Sequence, residues 1–370
     1  MNALVLTTGS ASLRLVHRPE PTIKDADDIK VRVLQTGICG TDREEASGGR
    51  ALSPNGSKEL VLGHEMFGRV VEIGKAVTRV RSGDYAVFTV RRGCGICLPC
   101  EMNRPDMCRT GHYRERGIWG QDGFDAEYVV DKEQYIVQVP PEIRSVGVLT
   151  EPASVVEKAI DEAVRVQLAR LPGAGATPRW LSGRRCLVAG LGPVGLLASM
   201  ILSLRGAEVL GVDVVDEHSP RAQWLAAVGG RYIDGRKLRT GHITDQFGPI
   251  DLILEAAGIP ALDFDLLGSL AINGVYVLTG IPGGKRPLEV DGGSLLRTLV
   301  LKNQLMFGSV NASTVHYQMA IADLVSAQLR WGALVQQLIT HRHRPQDLSP
   351  VFLVHPSDEI KAVIEWNGTV

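Results

Sequence analysis

Apolar residues recur along this 370-residue chain in two rhythms. Over roughly the first 150 positions they come as short, valine-rich runs broken by glycine turns, as in DDIKVRVLQTG at 27–37 and LVLGHEMFGRVVEIG at 60–74. Such runs predict strands and a β-rich, barrel-like domain. From Val155 the spacing changes: Val155, Val156, Ala159, Ile160, Ala163 and Val164 recur at helical intervals, which predicts a helix opening at Glu151 with Pro152 as its first residue. Beyond 184 the two rhythms alternate. RRCLVAG reads as a strand, PVGLLASMILSL as a helix and AEVLGVD as a strand, and IDLILEAAG, GVYVLTGIPGG and QLMFGSVNAS follow as further strands. Alternation of this kind predicts a doubly wound parallel sheet, hence an α/β chain of two parts. RLPGAGATPRWLSGRR reads as a Pro/Gly-rich surface connection, GGRALSPNGSKE as a solvated loop, THRHRP as an exposed basic loop holding His341 and His343, and FLVHPSDEIKAVIEW as a closing helix and strand.

Composition narrows the classes. The formal net charge is −1 and charged residues make up 22 %, which gives no pull toward nucleic acid or an anionic membrane. No apolar run reaches the roughly 18 residues of a membrane span. MNALVLTTGSASLRL lacks the basic start, long apolar stretch and cleavage site of a signal peptide. A cytoplasmic protein is expected.

Four of the six cysteines, Cys94, Cys97, Cys100 and Cys108, fall within fifteen positions as C-x2-C-x2-C-x7-C. A reducing compartment disfavours disulfides, and Gly93, Gly95, Pro99 and Pro105 force a loop rather than the helix start of a redox pair. Thiolates spaced this way on a loop surround one tetrahedral zinc, and four of them close its coordination sphere, so this ion is structural. Cys186 lies in an apolar strand and reads as a core residue. Cys39, in TGICGTDREE, differs: Gly37 and Gly40 suggest a tight turn presenting its thiol. His64 and Glu65 lie between Gly63 and Gly68, and Glu151 stands at the predicted helix start. As isolated residues His64 reads as structural and Glu151 as an ordinary helix-start carboxylate; together Cys, His and Glu make the mixed donor set of a catalytic zinc with an open position.

The loop Gly190, Leu191, Gly192, Pro193, Val194, Gly195 follows a predicted strand and opens a helix, and Asp213 ends the next strand. That is the context of a dinucleotide-binding loop, with the pyrophosphate on the helix N-terminus. Asp213 would accept from the adenosine ribose and favours NAD over NADP, with Arg221 close enough in sequence to blur the preference. Thr279 and Asn311, at or just beyond strand ends, are expected to face the cofactor.

In sequence order, GICGTD, LGHE, the four-cysteine lobe, TEPASVVEKA and GLGPVG resemble the zinc-dependent medium-chain dehydrogenases over nearly the whole chain. CGTDREE, GHYRERGIWGQDGFDAEYVVD and LVLKNQLMFGSVNAS resemble the archaeal-type glucose 1-dehydrogenase branch. The resemblance implies a GroES-like catalytic domain over 1–158 and 306–370, with a structural zinc lobe at about 91–112, and a Rossmann domain over 159–305. It implies two zinc ions per subunit, NAD (NADP being possible), a homotetramer or homodimer, and oxidation of the C1 hydroxyl of an aldose to a lactone. Cys39, His64, Glu65 and Glu151 match the family's catalytic zinc positions, the carboxylates directly or through water. Thr41, Glu115, Glu151 and Asn311 match sugar-contacting positions, and Thr41 a proton route. Ser154 and Val155 stand where some members carry an acidic residue. The cleft between domains is expected to hold the reactants. The same motifs serve alditol or threonine dehydrogenases, and a more distant alternative is a non-catalytic NAD-binding protein.

Overall fold

The computed structural model describes residues 1–10, 12–172, 179–238, 240–283, 287–347, 351–352 and 354–366. Much of the expected Pro/Gly-rich connection, 173–178, lies outside the described residues. The chain forms two compact units: Met1–Ser154 with Asn311–Leu329 and Val335–Val370, and Val155–Val310 with Arg330–Leu334.

The first unit is organised around the strand Asp28–Ile38. Its β-branched residues alternate inward, and Ile29, Val31 and Val33 are fully buried in a core with Met66, Val70, Phe88, Phe124 and Trp366. It pairs antiparallel with Glu65–Ile73, setting Gly37 opposite Glu65. It pairs antiparallel with Lys361–Glu365 as well, setting Ile38 opposite Ala362. Cys39 follows directly, so the two pairings bring Cys39, Glu65 and Lys361 to the same end of the sheet.

The second unit holds six parallel strands, Arg185–Ala189, Glu208–Asp213, Arg231–Asp234, Ile250–Glu255, Leu270–Leu278 and Leu305–Gly308. Counted in that order they lie third, second, first, fourth, fifth, sixth. This is the doubly wound order, whose strand direction of growth reverses beside the first strand, where ligands bind. The helix Pro193–Leu204 is buried continuously from Gly195 to Ser203, as befits a helix that is apolar nearly all round.

Four local expectations are corrected. The helix holding Glu151 runs Thr150–Arg170, making Pro152 its third residue rather than its first; a first-turn N–H has no intrahelical acceptor, so proline is tolerated there. Gly37 belongs to a strand, not a turn. His341 and His343 lie on the strand Ile339–His343, stacked with ring centroids 6.2 Å apart, not on a loop. The closing segment forms only the strand Lys361–Glu365. Among its described residues no helix precedes that strand: Glu359 N closes a turn on the Pro356 carbonyl at 3.1 Å, and the strand begins two residues later.

Candidate active site and metal centres

The four-cysteine segment is not the loop throughout that its glycines and prolines suggest: Cys97 caps the short helix Leu98–Glu101, which carries Cys100 and tolerates Pro99 in its first turn. The segment brings the Sγ atoms of Cys94, Cys97, Cys100 and Cys108 within 4.8 Å of one another. Cys97 and Cys100 lie 3.5 Å apart, and Cys94 and Cys100 3.9 Å. A tetrahedral ion at about 2.3 Å from each sulfur spaces them by about 3.8 Å, so the cluster fits zinc. None of these cysteines forms a disulfide. Gly93 is needed beside them: a Cβ there would lie 2.3 Å from Cys100 Sγ.

At the end of the strand Asp28–Ile38, Cys39 caps the helix Gly40–Ala46, and its backbone N–H donates to Asp42 Oδ2 at 2.8 Å. A carboxylate three residues after the cap suits a helix N-terminus. The other Asp42 oxygen lies 3.2 Å from His64 Nδ1, with both side chains buried. Burial alone would lower the His64 pKa, but the Asp42 carboxylate and the Cys39 sulfur outweigh it and push the pKa well above its usual value. A metal bound here takes the place of that proton, and Asp42 stands behind the ring at the place that carboxylates occupy behind ligating histidines. Gly63, at φ +85°, brings His64 in; a Cβ there would meet Asp125 Oδ1 at 2.3 Å.

Ligand atoms of Cys39, His64 and Glu65 all lie within 4.8 Å of one another. The thiol, imidazole and carboxylate fit zinc. Glu65 is also held from behind by Lys361, whose Nζ is 2.6 Å from Oε1 and 2.5 Å from Oε2 and donates to the Ile38 carbonyl at 3.0 Å. Gly37 makes space for that pair, since a Cβ there would sit 2.0 Å from Glu65 Oε2. Glu151 falls outside the cluster but within its field. Burial pushes it up to about 8, and Glu65 and Asp42 add to the shift against the opposing His64 and Lys361. Thr41 is half-buried in the helical turn after Cys39.

Glu115 and Asn311 come together although 196 positions apart: Asn311 Nδ2 donates to Glu115 Oε1 at 2.8 Å. Asn311 adopts a left-handed φ of +63°, a conformation asparagine tolerates better than most residues. Three residues with no sequence-level signal of their role complete these arrangements: Asp42 behind His64, Lys361 behind Glu65, and Arg91, whose Nη2 donates to Glu115 Oε1 at 2.8 Å.

In the second unit Gly190 turns at φ +87°, and a Cβ at Gly195 would lie 1.8 Å from the Gly190 carbonyl oxygen. Gly192 has nothing within 4 Å of its Cβ position. The Asp213 carboxylate accepts from Leu191 N at 2.7 Å and from Val214 N at 2.6 Å, tying the glycine loop to the second strand. Thr279 Oγ1 donates to the Glu255 carbonyl at 2.6 Å, and the Glu255 carboxylate accepts from Ala257 N and Gly258 N, both at 2.5 Å. These strand ends are thereby stitched together on the face where a dinucleotide would lie.

A β-rich unit with two thiol-bearing ligand sets, joined in one chain to a nucleotide-binding parallel sheet, defines a zinc-dependent medium-chain dehydrogenase. Residues 25–141 match the alcohol dehydrogenase GroES-like domain and residues 144–366 the glucose dehydrogenase C-terminus. The chain is 40 % identical to a glucose 1-dehydrogenase of Thermoproteus tenax and 37 % identical to one of Methanocella arvoryzae, each over 99 % of both chains. It superposes on the Haloferax mediterranei glucose dehydrogenase, solved in complex with NADP, Zn and gluconolactone, with a TM-score of 0.88 at 30 % identity over 100 % of both chains. The chain belongs to the glucose 1-dehydrogenase branch of this family.

Proposed function

We propose that the chain oxidises the C1 hydroxyl of a glucose-like aldopyranose to the lactone and reduces NAD or NADP. The observation that carries this reading is the Cys39–His64–Glu65 cluster with Asp42 behind the imidazole. Membership of the glucose 1-dehydrogenase branch supports the choice of a sugar as substrate.

Cys39 and His64 would hold the catalytic zinc, with Glu65 and Glu151 as direct or water-bridged ligands. When bound, zinc supplies the Lewis acidity that lets a sugar hydroxyl lose its proton near neutral pH. The chain's own groups do the rest. Asp42 orients His64. Lys361 balances the charge of Glu65. Thr41 accepts a hydrogen bond from the reacting hydroxyl and links it to solvent. Glu151, buried beside the cluster, exchanges in and out of the coordination sphere or takes part in proton removal. Glu115 and Asn311 read ring hydroxyls, and an analogue lacking one is rejected because it leaves these buried groups unpaired. The glycine loop seats the pyrophosphate. Hydride transfer requires the nicotinamide at near-attack distance from C1. The hydride leaves C1 with its electron pair, the O1 proton is lost, and the C1–O1 double bond of the lactone forms.

The acidic run Asp213, Asp216, Glu217 supports NAD as the preferred cofactor, because it repels a 2′-phosphate. The nearby Arg236 is already clamped by Asp234 at 2.8 and 2.7 Å. The second zinc belongs to the four cysteines. Among the described residues no helix is long and apolar enough to cross a membrane. A cytoplasmic homotetramer or homodimer remains part of this proposal.

The test is a spectrophotometric screen of the zinc-loaded protein against aldoses, alditols and threonine with NAD and, separately, NADP, with product analysis. Reduction with glucose or a near epimer, yielding a lactone that hydrolyses to the acid, is expected. Turnover only of alditols or threonine would overturn the substrate class. Reduction of neither cofactor with any of them would overturn the enzymatic reading.

A further inference from the structure

We propose that Arg91 is a positioning residue for sugar recognition, fixing which oxygen of Glu115 faces the substrate. The inference rests on the reading of Glu115 as a sugar contact. The strand Arg91–Arg92 pairs antiparallel with Arg114–Arg116, and Arg91 stands directly opposite Glu115. Cross-strand neighbours of opposite charge meet at this spacing. Arg91 Nε and Nη2 both donate to Glu115 Oε1, at 3.1 and 2.8 Å. Asn311 Nδ2 donates to the same atom. One oxygen thus takes three hydrogen bonds, and among the described residues none reaches the other. Oε2 is left as the acceptor that a ring hydroxyl can use.

Arg91 is itself held on two further sides. Its Nη1 donates at 2.9 Å to the carbonyl of Asp106, which lies between Cys100 and Cys108. Its guanidinium carbon stands 4.1 Å from the centre of the Tyr113 ring. Arg91 is only 7 % exposed and Glu115 3 %. A buried carboxylate with a fork of donors on one oxygen is rotationally locked, and a planar guanidinium supplies that fork where a lysine ammonium does not. The metal-holding loop thereby sets the position of Arg91, and Arg91 sets that of Glu115.

The experiment compares Arg91→Met, Arg91→Lys, Glu115→Gln and the double variant R91M/E115Q, each checked for zinc content and thermal unfolding. It measures kcat together with the KM values for glucose and for NAD. The expected result is a rise in glucose KM of about tenfold or more for Arg91→Met, the scale of one lost charge-assisted hydrogen bond. The NAD KM should hold, Arg91→Lys should restore only part of the loss, and the double variant should be little worse than Glu115→Gln alone. If Glu115→Gln raises glucose KM but neither Arg91 variant does, the role of Arg91 is overturned. If kcat and both KM values degrade together, Arg91 is merely structural and the proposal fails. If Glu115→Gln leaves glucose KM unchanged, the sugar-contact reading of Glu115 falls, and this inference falls with it. Should Arg91→Met not fold, the Arg91→Lys comparison decides by the same criteria.

Discussion

Lys361 and Glu65 are 296 positions apart, yet their side chains meet at 2.6 Å in the interior of the β-rich unit, beside the Cys39–His64 pair. The contact exists because one strand, Asp28–Ile38, is paired on both flanks, and because residue 37 has no side chain to block it. Removing one member of a buried ion pair leaves an uncompensated charge, which typically costs about 3–5 kcal/mol. Lys361→Met is therefore expected to lower stability by that order. Adding Glu65→Gln should recover part of it, since the stranded carboxylate is gone. Urea unfolding of the two variants checks this, and equal destabilisation in both would show that Glu65 does not need its cation.

The four-cysteine loop leads to a separable expectation. Cys108→Ser should lose one metal equivalent per chain, measured by elemental analysis, and lower the thermal midpoint. Because the Asp106 carbonyl beside that loop anchors Arg91, the glucose KM should rise more than the NAD KM. A variant that keeps both metal equivalents would show that the four sulfurs do not act as one site.

Asp131 is expected to contribute to acid stability. It accepts from Arg92 Nη2 at 2.6 Å and from Arg116 Nε at 2.8 Å. Burial would raise its pKa, but the two guanidiniums hold it well below the usual carboxylate range. The sign follows from linkage. The unfolded chain binds this proton more readily, near pH 3.9, so the stabilisation is complete above that value and is lost as pH falls toward the lower folded pKa. Asp131→Asn should reduce stability at pH 7 and flatten the loss between about pH 4 and pH 2. Denaturant midpoints across that range measure it, and parallel curves for the two proteins would refute the assignment.

Motifs whose parts are neighbours in sequence are legible from spacing alone. The four cysteines, the glycine loop with Asp213 and the Cys39 segment each announce themselves through local spacing. The groups that tune them do not. Asp42 stands within a motif already noted, yet its partner His64 lies on another element and only the fold joins them. Lys361 sits in a closing strand that the sequence does suggest, but its pairing beside Asp28–Ile38, which brings it to Glu65, is tertiary; Arg91 is one of two adjacent arginines in an apolar surround. Sequence made Gly37 a turn because glycine usually means one; its role here is to leave volume for a side chain from a neighbouring strand, a purely tertiary requirement. The pairing of Glu115 with Asn311 is likewise invisible in the sequence, where the two stand 196 positions apart.

The two later glycines of the loop Gly190–Gly195 should fail in different ways. At Gly195 a Cβ would sit 1.8 Å from the Gly190 carbonyl oxygen, so Gly195→Ala must push the helix Pro193–Leu204 off the sheet. Both folding stability and NADH affinity should fall, because overpacking a tight contact costs about 1–3 kcal/mol. At Gly192 the backbone is extended, with φ −70° and ψ −173°, and no atom lies within 4 Å of the added carbon. Gly192→Ala should therefore leave the unfolding midpoint almost unchanged. If the pyrophosphate rests against this backbone, the added methyl occupies ligand space and NADH affinity should drop by about tenfold or more, the scale of roughly 1.4 kcal/mol. Fluorescence titration with NADH and thermal unfolding on the same preparations separate the two cases. Full NADH affinity in Gly192→Ala would mean that the dinucleotide does not approach the chain at this glycine.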